Sequence, residues 1–412
     1  MAKQRKDNKG RVLRKGEGQR KDGMYFYNYM DPLGRRKYIY SRSILELRRK
    51  EDELVRDQLD GLDTYVAKAA SVNYVFDRYI STKTDLRATT KANYMYMYNH
   101  FIRDTFGKKK IGEVKYSDVL AFYQYLLKEE GMQLNTLDTI HTVLHPTFQM
   151  AVRDNIIRTN PSDGVMAKLK KQPGKNHGIR HALTPEQQRA FIKFIEEEPE
   201  FYHWMPLFKF LLGTGCRVGE AIGIRWQDID FENRVISINH SLVYYSREYK
   251  GHTCCSYGVS LPKTEAGIRT IPMLDSVYEA LQLELEDQRE YGFNQTEIDG
   301  MNGFVFMNRF GNVQNPEGIN KAIRRICESY NAREEVNAVR EKRKPVLLPH
   351  FSCHHLRHTF CSRLCENETN LKVVQSVMGH ASIETTMDIY AEVTESKKKE
   401  ELVALSKKWD FI

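Results

Sequence analysis

The hydrophobic period of this 412-residue chain changes twice along its length, which limits it to an assembly of separate modules. Up to about residue 41 the residues alternate with period two. "MYFYNYMD" is followed by the turn signal "PLG" and then by "RRKYIYS", which is the pattern of a β-hairpin. Ser43 then opens a helix, with Glu46 completing an S-x-x-E capping box before "ILELRRKEDELVRDQL". From about Ser71 to Lys168 the period is helical throughout. Its four segments are "VNYVFDRYI", "TTKANYMYMYNHFIRDTF", "YSDVLAFYQYLLKEE" and "LDTIHTVLHPTFQMAVRDNII". In the second, Tyr94, Tyr98, Phe101 and Ile102 share one stripe, which reads as core and not as a stacking platform. The stretch "AKLKKQPGKNHGIRH" (167–181) combines Lys, Pro and Gly without period and reads as a basic linker. Thr184, Pro185 and Gln187 mark another capped helix. Beyond it, helical segments such as "FYHWMPLFKFLLGTG" alternate with the strand-like "RVISINHSLVYYS" and "YGVSLPKTEAGIRTIPM". "REYGFNQTEIDGMNG" and "NAREEVNAVREKRKP" have no assignable local structure.

Charge is as unevenly distributed as period. Residues 1–50 hold sixteen Lys and Arg against five Asp and Glu, so this one segment is more basic than the chain's net +9. A basic module on an otherwise balanced protein is the electrostatic footprint of a polyanion binder, most often nucleic acid. A small sheet bearing Tyr25 and Tyr27 could lay its outer face in a DNA major groove, although one face of such a sheet must be core. The DNA-contacting candidates are Arg5, Lys6, Arg14, Tyr25, Tyr27, Arg35, Arg36 and Lys37, with Lys170, Lys171 and Lys175 in the linker region. No apolar run approaches the roughly 20 residues of a membrane span, and the basic start leads into no signal-type apolar segment, so a cytoplasmic location is expected. The seven cysteines are scattered, with no disulfide or zinc-ribbon spacing, and are expected to be reduced.

Chemistry concentrates near the C-terminus. "CHHLRHTF" (353–360) crowds three histidines and an arginine into eight residues, which suits a metal site, a packed helix or a cradle for phosphate. His354 and His358 have the spacing of two zinc ligands on a helix, but the glutamate of H-E-x-x-H is missing and no third ligand is evident. No metal and no cofactor are therefore expected. His355 and His358 are assigned to packing around the site, and Cys353, Cys361 and Cys365 to buried thiols. Arg217 follows "GTG" within an apolar run, where an unpaired charge would be costly, and this setting favours a ligand for it.

Four stretches taken together, "TGCRVGEA", "LPKTEAGIRTIP", "HHLRHTF" and "MGHASIETTMDIYA", resemble in order, type and spacing the tyrosine recombinases, or phage integrase family. The resemblance implies a catalytic set of Arg217, Lys263, His354, Arg357, His380 and the nucleophile Tyr390, with Glu220 in support. Tyr390 would form a 3′-phosphotyrosyl intermediate. Lys263 would protonate the departing 5′ oxygen, and the two histidines would bind phosphate and move protons near neutral pH. Two guanidiniums suit a phosphate geometrically and replace a metal in neutralising the transition state.

Over the whole chain the arrangement is similar to the integrases of conjugative transposons and lambda-type phages. The implied fold is α+β and multidomain. A three-stranded sheet with one helix binds arm-type DNA (1–66), a four-helix domain binds core DNA (71–168) and a basic linker follows (169–180). A mainly α catalytic domain contains a small antiparallel sheet (181–393), and a tail helix (394–412) packs in trans through Val403, Leu405 and Trp409. The implied partners are double-stranded DNA at core and arm attachment sites and a homotetramer on that DNA. An excisionase and DNA-bending accessory proteins are further partners, in a bacterial cytoplasm at the nucleoid. A resolvase of chromosome dimers, a type IB topoisomerase and a catalytically silent DNA-binding regulator are the alternatives.

Overall fold

The computed structural model describes residues 5–30, 35–59, 69–170, 182–249, 252–262, 267–367 and 370–391, and the chain divides into two compact units, residues 1–175 and 176–412. In the first unit, β1 (Glu17–Gln19), β2 (Tyr25–Met30) and β3 (Arg36–Ser41) form an antiparallel sheet in that order, followed by α1 (Ile44–Leu59). Glu46 does not close the expected box on Ser43. It accepts from the Ser41 hydroxyl, which in turn accepts the Ser43 N–H, so the strand's last residue organises the helix start. The sheet buries Tyr25 against Ile44 and Leu47 of α1, with Tyr27 and Ile39 packed alongside.

This corrects the expectation for Tyr25 and Tyr27. Successive side chains of a strand point to opposite faces, and the odd positions of β2 face α1. The Tyr25 hydroxyl is held there, donating to Asp7 at 2.9 Å and accepting from Arg11 at 2.6 Å. The open face belongs instead to Phe26, Tyr38 and Tyr40, which the register sets together. Tyr38 and Tyr40 are 48% and 42% exposed and stack with ring centroids 6.2 Å apart.

The helical part contains α2 (Val72–Thr82), α3 (Ala88–Phe101), α4 (Tyr116–Lys128), α5 (Leu134–Arg153) and the short α6 (Val165–Lys170) around one core. The aromatic stripe of α3 is core as expected: Tyr98 and Ile102 are fully buried, with Tyr94 and Phe101 packed beside them. Tyr98 stacks face to face on Phe76, and its hydroxyl donates to Asn73 at 2.9 Å. The linker expectation is corrected at its start, because Val165, Met166 and Leu169 give residues 165–170 a buried helical face. Lys170 closes that helix in an ion pair with Asp138 at 3.0 Å. Lys171 and Lys175 lie outside the described residues.

The second unit begins with α7 (Pro185–Glu197), whose capping box forms as read: Gln187 N–H donates to Thr184 and Thr184 N–H to Gln187. It continues through α8 (Met205–Thr214), α9 (Val218–Gly223), β4 (Ile229–Asp230), β5 (Val235–Ile238), β6 (Ser241–Tyr249), β7 (His252–Ser260) and β8 (Arg269–Pro272). Then come α10 (Asp275–Tyr291), α11 (Pro316–Glu341), α12 (Cys353–Asn367) and α13 (Leu371–Met378), with α14 over residues 383–391.

"RVISINHSLVYYS" is strand, as its pattern suggests, and holds two strands. It breaks at Asn239-His240 into β5, which pairs β4 and β8, and β6, which pairs β7. His240 is buried at the break and hydrogen-bonds the Gly223 carbonyl at 2.7 Å. "NAREEVNAVRE" continues α11 without interruption; its Val336 and Val339 are exposed, so the segment carries no inward apolar period to read.

Candidate active site

The site is built where α8 ends and α9 begins. Gly215 caps α8 in the left-handed region at φ +62°, and a Cβ on it would come within 2.4 Å of the Phe360 ring, so only glycine fits this turn. Its carbonyl accepts from the Arg357 guanidinium at 2.6 Å. Arg217 follows as the N-cap of α9; its N–H and its guanidinium both donate to Glu220, at 2.9 and 2.8 Å. Arg217 keeps 45% of its side chain exposed, whereas Arg357 is buried at 4%.

Both arginines also reach the end of α13. Arg357 donates to the Met378 carbonyl at 2.6 Å and Arg217 to the Gly379 carbonyl at 3.2 Å. Gly379 caps α13 at φ +62° and so turns the chain into His380. His380 is buried, and its backbone is clamped by Gln375 through N–H to carbonyl at 3.2 Å and side-chain amide to carbonyl at 3.0 Å. Its Nδ1 shares a hydrogen bond with the Thr386 hydroxyl at 2.9 Å, which ties it to α14.

The electrostatics follow from this crowding. Burial, with Arg217 next to it, pulls Arg357 down to about 10, still charged at neutral pH. Burial raises the Glu220 carboxyl, but Arg269 and Arg217 outweigh it and hold the group below the ordinary range. Burial and then Arg357, Arg217 and Arg269 push His380 down to about 4. The expectation that His380 titrates near neutral pH is therefore corrected: before a phosphate arrives its ring is neutral, suited to donate or accept one hydrogen bond.

The structure thus brings Arg217, Glu220, Arg357 and His380 together. His354 is exposed in the first turn of α12, one turn before Arg357, with its ring 5.8 Å from that of His358. His355 accepts the Ser352 N–H through Nδ1 and so caps the start of α12, a role its neighbours in sequence did not reveal. His358 adds to the positive field at His380. Tyr390, on α14, is partly buried against Cys361, Cys365, Val374, Met378 and Ile389, so the helix that carries Arg357 also seats the tyrosine. Cys353, Cys361 and Cys365 are buried free thiols. Lys263 lies outside the described residues.

One residue of the cluster went unread in the sequence. Arg269 of β8 is 8% exposed, with its guanidinium donating to Glu220 Oε2 at 2.8 Å and to the Val377 carbonyl at 2.8 Å. The available signal was a charge at an inward position of a strand whose burial alternates, where an unpaired guanidinium would not be tolerated.

Comparison with known proteins identifies the family. The model of the phage integrase family matches residues 181–397, more than half the chain, and that of the DNA-binding domain of the Tn916 integrase matches residues 1–58. The transposase from transposon Tn916 of Enterococcus faecalis is 30% identical over 420 aligned positions, covering 99% of this chain and 98% of that protein. The transposase from Tn1545 of Streptococcus pneumoniae is equally similar, with the same coverage. A solved structure of the Tn1549 transposon integrase in complex with transposon right-end DNA superposes with a TM-score of 0.67 at 29% identity, covering 82% of this chain and all of that one. The lambda integrase dimer on a core site, at 16% identity and TM-score 0.51, shares the fold. With a family model matching more than half the chain and relatives matched over nearly their whole length, the chain belongs to the phage integrase family of tyrosine recombinases, in the branch found in conjugative transposons.

Proposed function

We propose that this chain integrates and excises a mobile element by cutting and rejoining DNA through a phosphotyrosyl bond on Tyr390. The observation that carries the reading is the convergence of Arg217, Arg357 and the neutral, buried His380 on one helix terminus. Arg217, Arg269 and Arg357 against Glu220 leave the described cluster with a surplus of two positive charges, which suits the doubly negative phosphorane of a phosphodiester under attack. The Tyr390 oxygen bonds to phosphorus as its proton passes to solvent water, the bond to the 5′ oxygen breaks, and Lys263 supplies the proton that oxygen needs. A 5′-hydroxyl from the other duplex then attacks the phosphotyrosine and releases Tyr390. The link conserves the phosphodiester's free energy, so no nucleotide triphosphate is consumed. His354 at the edge of the cluster and His380 within it hydrogen-bond the non-bridging oxygens, and Glu220 orients Arg217.

The site is tested with a nicked suicide duplex of the core attachment site. A covalent adduct is expected on a denaturing gel with chelator present. An adduct that forms only when a divalent cation is supplied would refute the arginine-based mechanism. Relaxation of supercoiled plasmids lacking the site at the same rate would favour the topoisomerase alternative, and binding without adduct the silent regulator.

The domain roles extend this reading. Residues 1–66 bind arm-type repeats, 71–168 and 181–393 clamp core DNA with the basic residues between them, and 394–412 pack in trans within a tetramer. An excisionase and DNA-bending proteins complete the assembly at the bacterial nucleoid. On the N-terminal sheet the open face of Phe26, Tyr38 and Tyr40, flanked by Arg36 and with Arg20 over the Tyr40 ring at 5.8 Å, is the better DNA surface than Tyr25 and Tyr27. The Tyr38→Ala/Tyr40→Ala pair is expected to weaken arm-repeat binding by about 1–3 kcal/mol in a mobility-shift titration, with core-site cleavage unchanged. Arg36→Ala should also reduce the salt slope by about one. Tyr25→Phe should instead lower the melting temperature through the lost Asp7 and Arg11 bonds and leave DNA affinity alone.

A further inference from the structure

Three successive carbonyls at the C-terminus of α13 are each held by a different arginine: Val377 by Arg269, Met378 by Arg357 and Gly379 by Arg217. A helix C-terminus carries partial negative charge on its unpaired carbonyls, so this end of α13 acts as an internal anion for the cluster. Two of the three arginines belong to the proposed phosphate-binding set. Arg269 does not: it lies outside the motif set, and its buried guanidinium is spent on both Glu220 oxygens and on the Val377 carbonyl. It adds a second link, beside the one Arg217 itself makes, between the carboxylate that orients Arg217 and the helix end that delivers His380 and leads into α14.

We propose that Arg269 is a positioning residue for cleavage, fixing Glu220 on one side and the end of α13 on the other so that Arg217 and His380 are set before DNA binds. This deepens the active-site reading above and rests on it. Glu220 meets Arg269 from β8, Arg217 and Cys216 from the α8–α9 turn, and Arg357 from α12, with His380 next to the same guanidiniums. Without Arg269 the buried carboxylate has Arg217 as its one hydrogen-bonded cation. Burial then dominates, and the carboxyl protonates at a higher pH than before. A protonated Glu220 no longer holds Arg217 through two charge-assisted bonds.

The test uses the full chain, the same nicked suicide duplex and single-turnover kinetics with enzyme saturating. Arg269→Met is expected to slow adduct formation by about 10²-fold, the scale of a displaced preorganised donor. Core-site affinity should stay close to that of the unaltered protein. The slowed rate should fall further as pH drops below neutral, an acid limb absent from the unaltered protein. A purely structural defect would reduce the fraction of protein that reacts, without moving the rate constant of the remainder or its pH profile. Arg269→Lys keeps a charge beside Glu220 but cannot span Glu220 and Val377 with one planar fork; it should recover part of the rate and remove the acid limb. If Arg269→Met does not fold, Arg269→Lys alone decides, since cleavage at the unaltered rate would overturn the proposal. Tyr390→Phe run in parallel separates the two levels. An adduct in Tyr390→Phe overturns the active-site reading itself. No adduct there, with Arg269→Met cleaving at the unaltered rate and pH profile, overturns the role of Arg269 alone.

Discussion

Tyr390→Phe is expected to abolish the covalent protein–DNA adduct while leaving the fold and core-site binding intact. The substitution removes one oxygen from a ring that is partly buried against Cys361, Cys365, Val374, Met378 and Ile389, so the packing that seats α14 is kept. Water cannot take the place of the lost phenol in forming a protein link, and the loss should be complete within the detection of a denaturing gel. Thermal melting and a mobility-shift titration on the core duplex provide the controls. Adduct formation by the phenylalanine variant would assign the nucleophile elsewhere, and loss of both binding and melting transition would mean that the ring's hydroxyl is structural.

Arg357→Met carries the second large effect, and here catalysis and stability fall together. Losing one preorganised charged donor at a phosphoryl transition state costs about 10² to 10³ in rate. Arg357 is also buried, and its removal leaves the Gly215 and Met378 carbonyls without their partner at about 1–3 kcal/mol each. A melting point several degrees lower should therefore accompany the slowed cleavage. Arg357→Lys preserves the charge, yet an ammonium is a point donor and cannot reproduce a fork that reaches both carbonyls. It should remain far below the unaltered rate. A lysine variant with full activity would show that positive potential alone suffices and that the geometry of the fork is incidental.

Much of the fold was legible because it is locally encoded. The Thr184 capping box, the Tyr98 and Ile102 core stripe and the period-two strands of the N-terminal sheet each depend on neighbours within a few residues, and each forms as read. Legibility failed where a local pattern had two solutions. Alternation places Tyr25 and Tyr27 on one face and Phe26 on the other, but it does not say which face α1 covers. "RVISINHSLVYYS" is strand-like as read, but nothing local marks the change of pairing partner at His240. The second half of α11 could not be read because its valines face solvent.

The sequence by itself determined the modules, their charge and the residue types from which the site is made, since period, capping and composition act over short stretches of chain. The tertiary structure decided which guanidinium is half-exposed and which buried, that His380 is neutral, and that Arg269 joins the cluster. Those properties arise from contacts between residues as much as 162 positions apart, as in Arg217 with the Gly379 carbonyl. A charge's solvation and its partners are set by whatever the fold packs around it, and no local pattern carries that information.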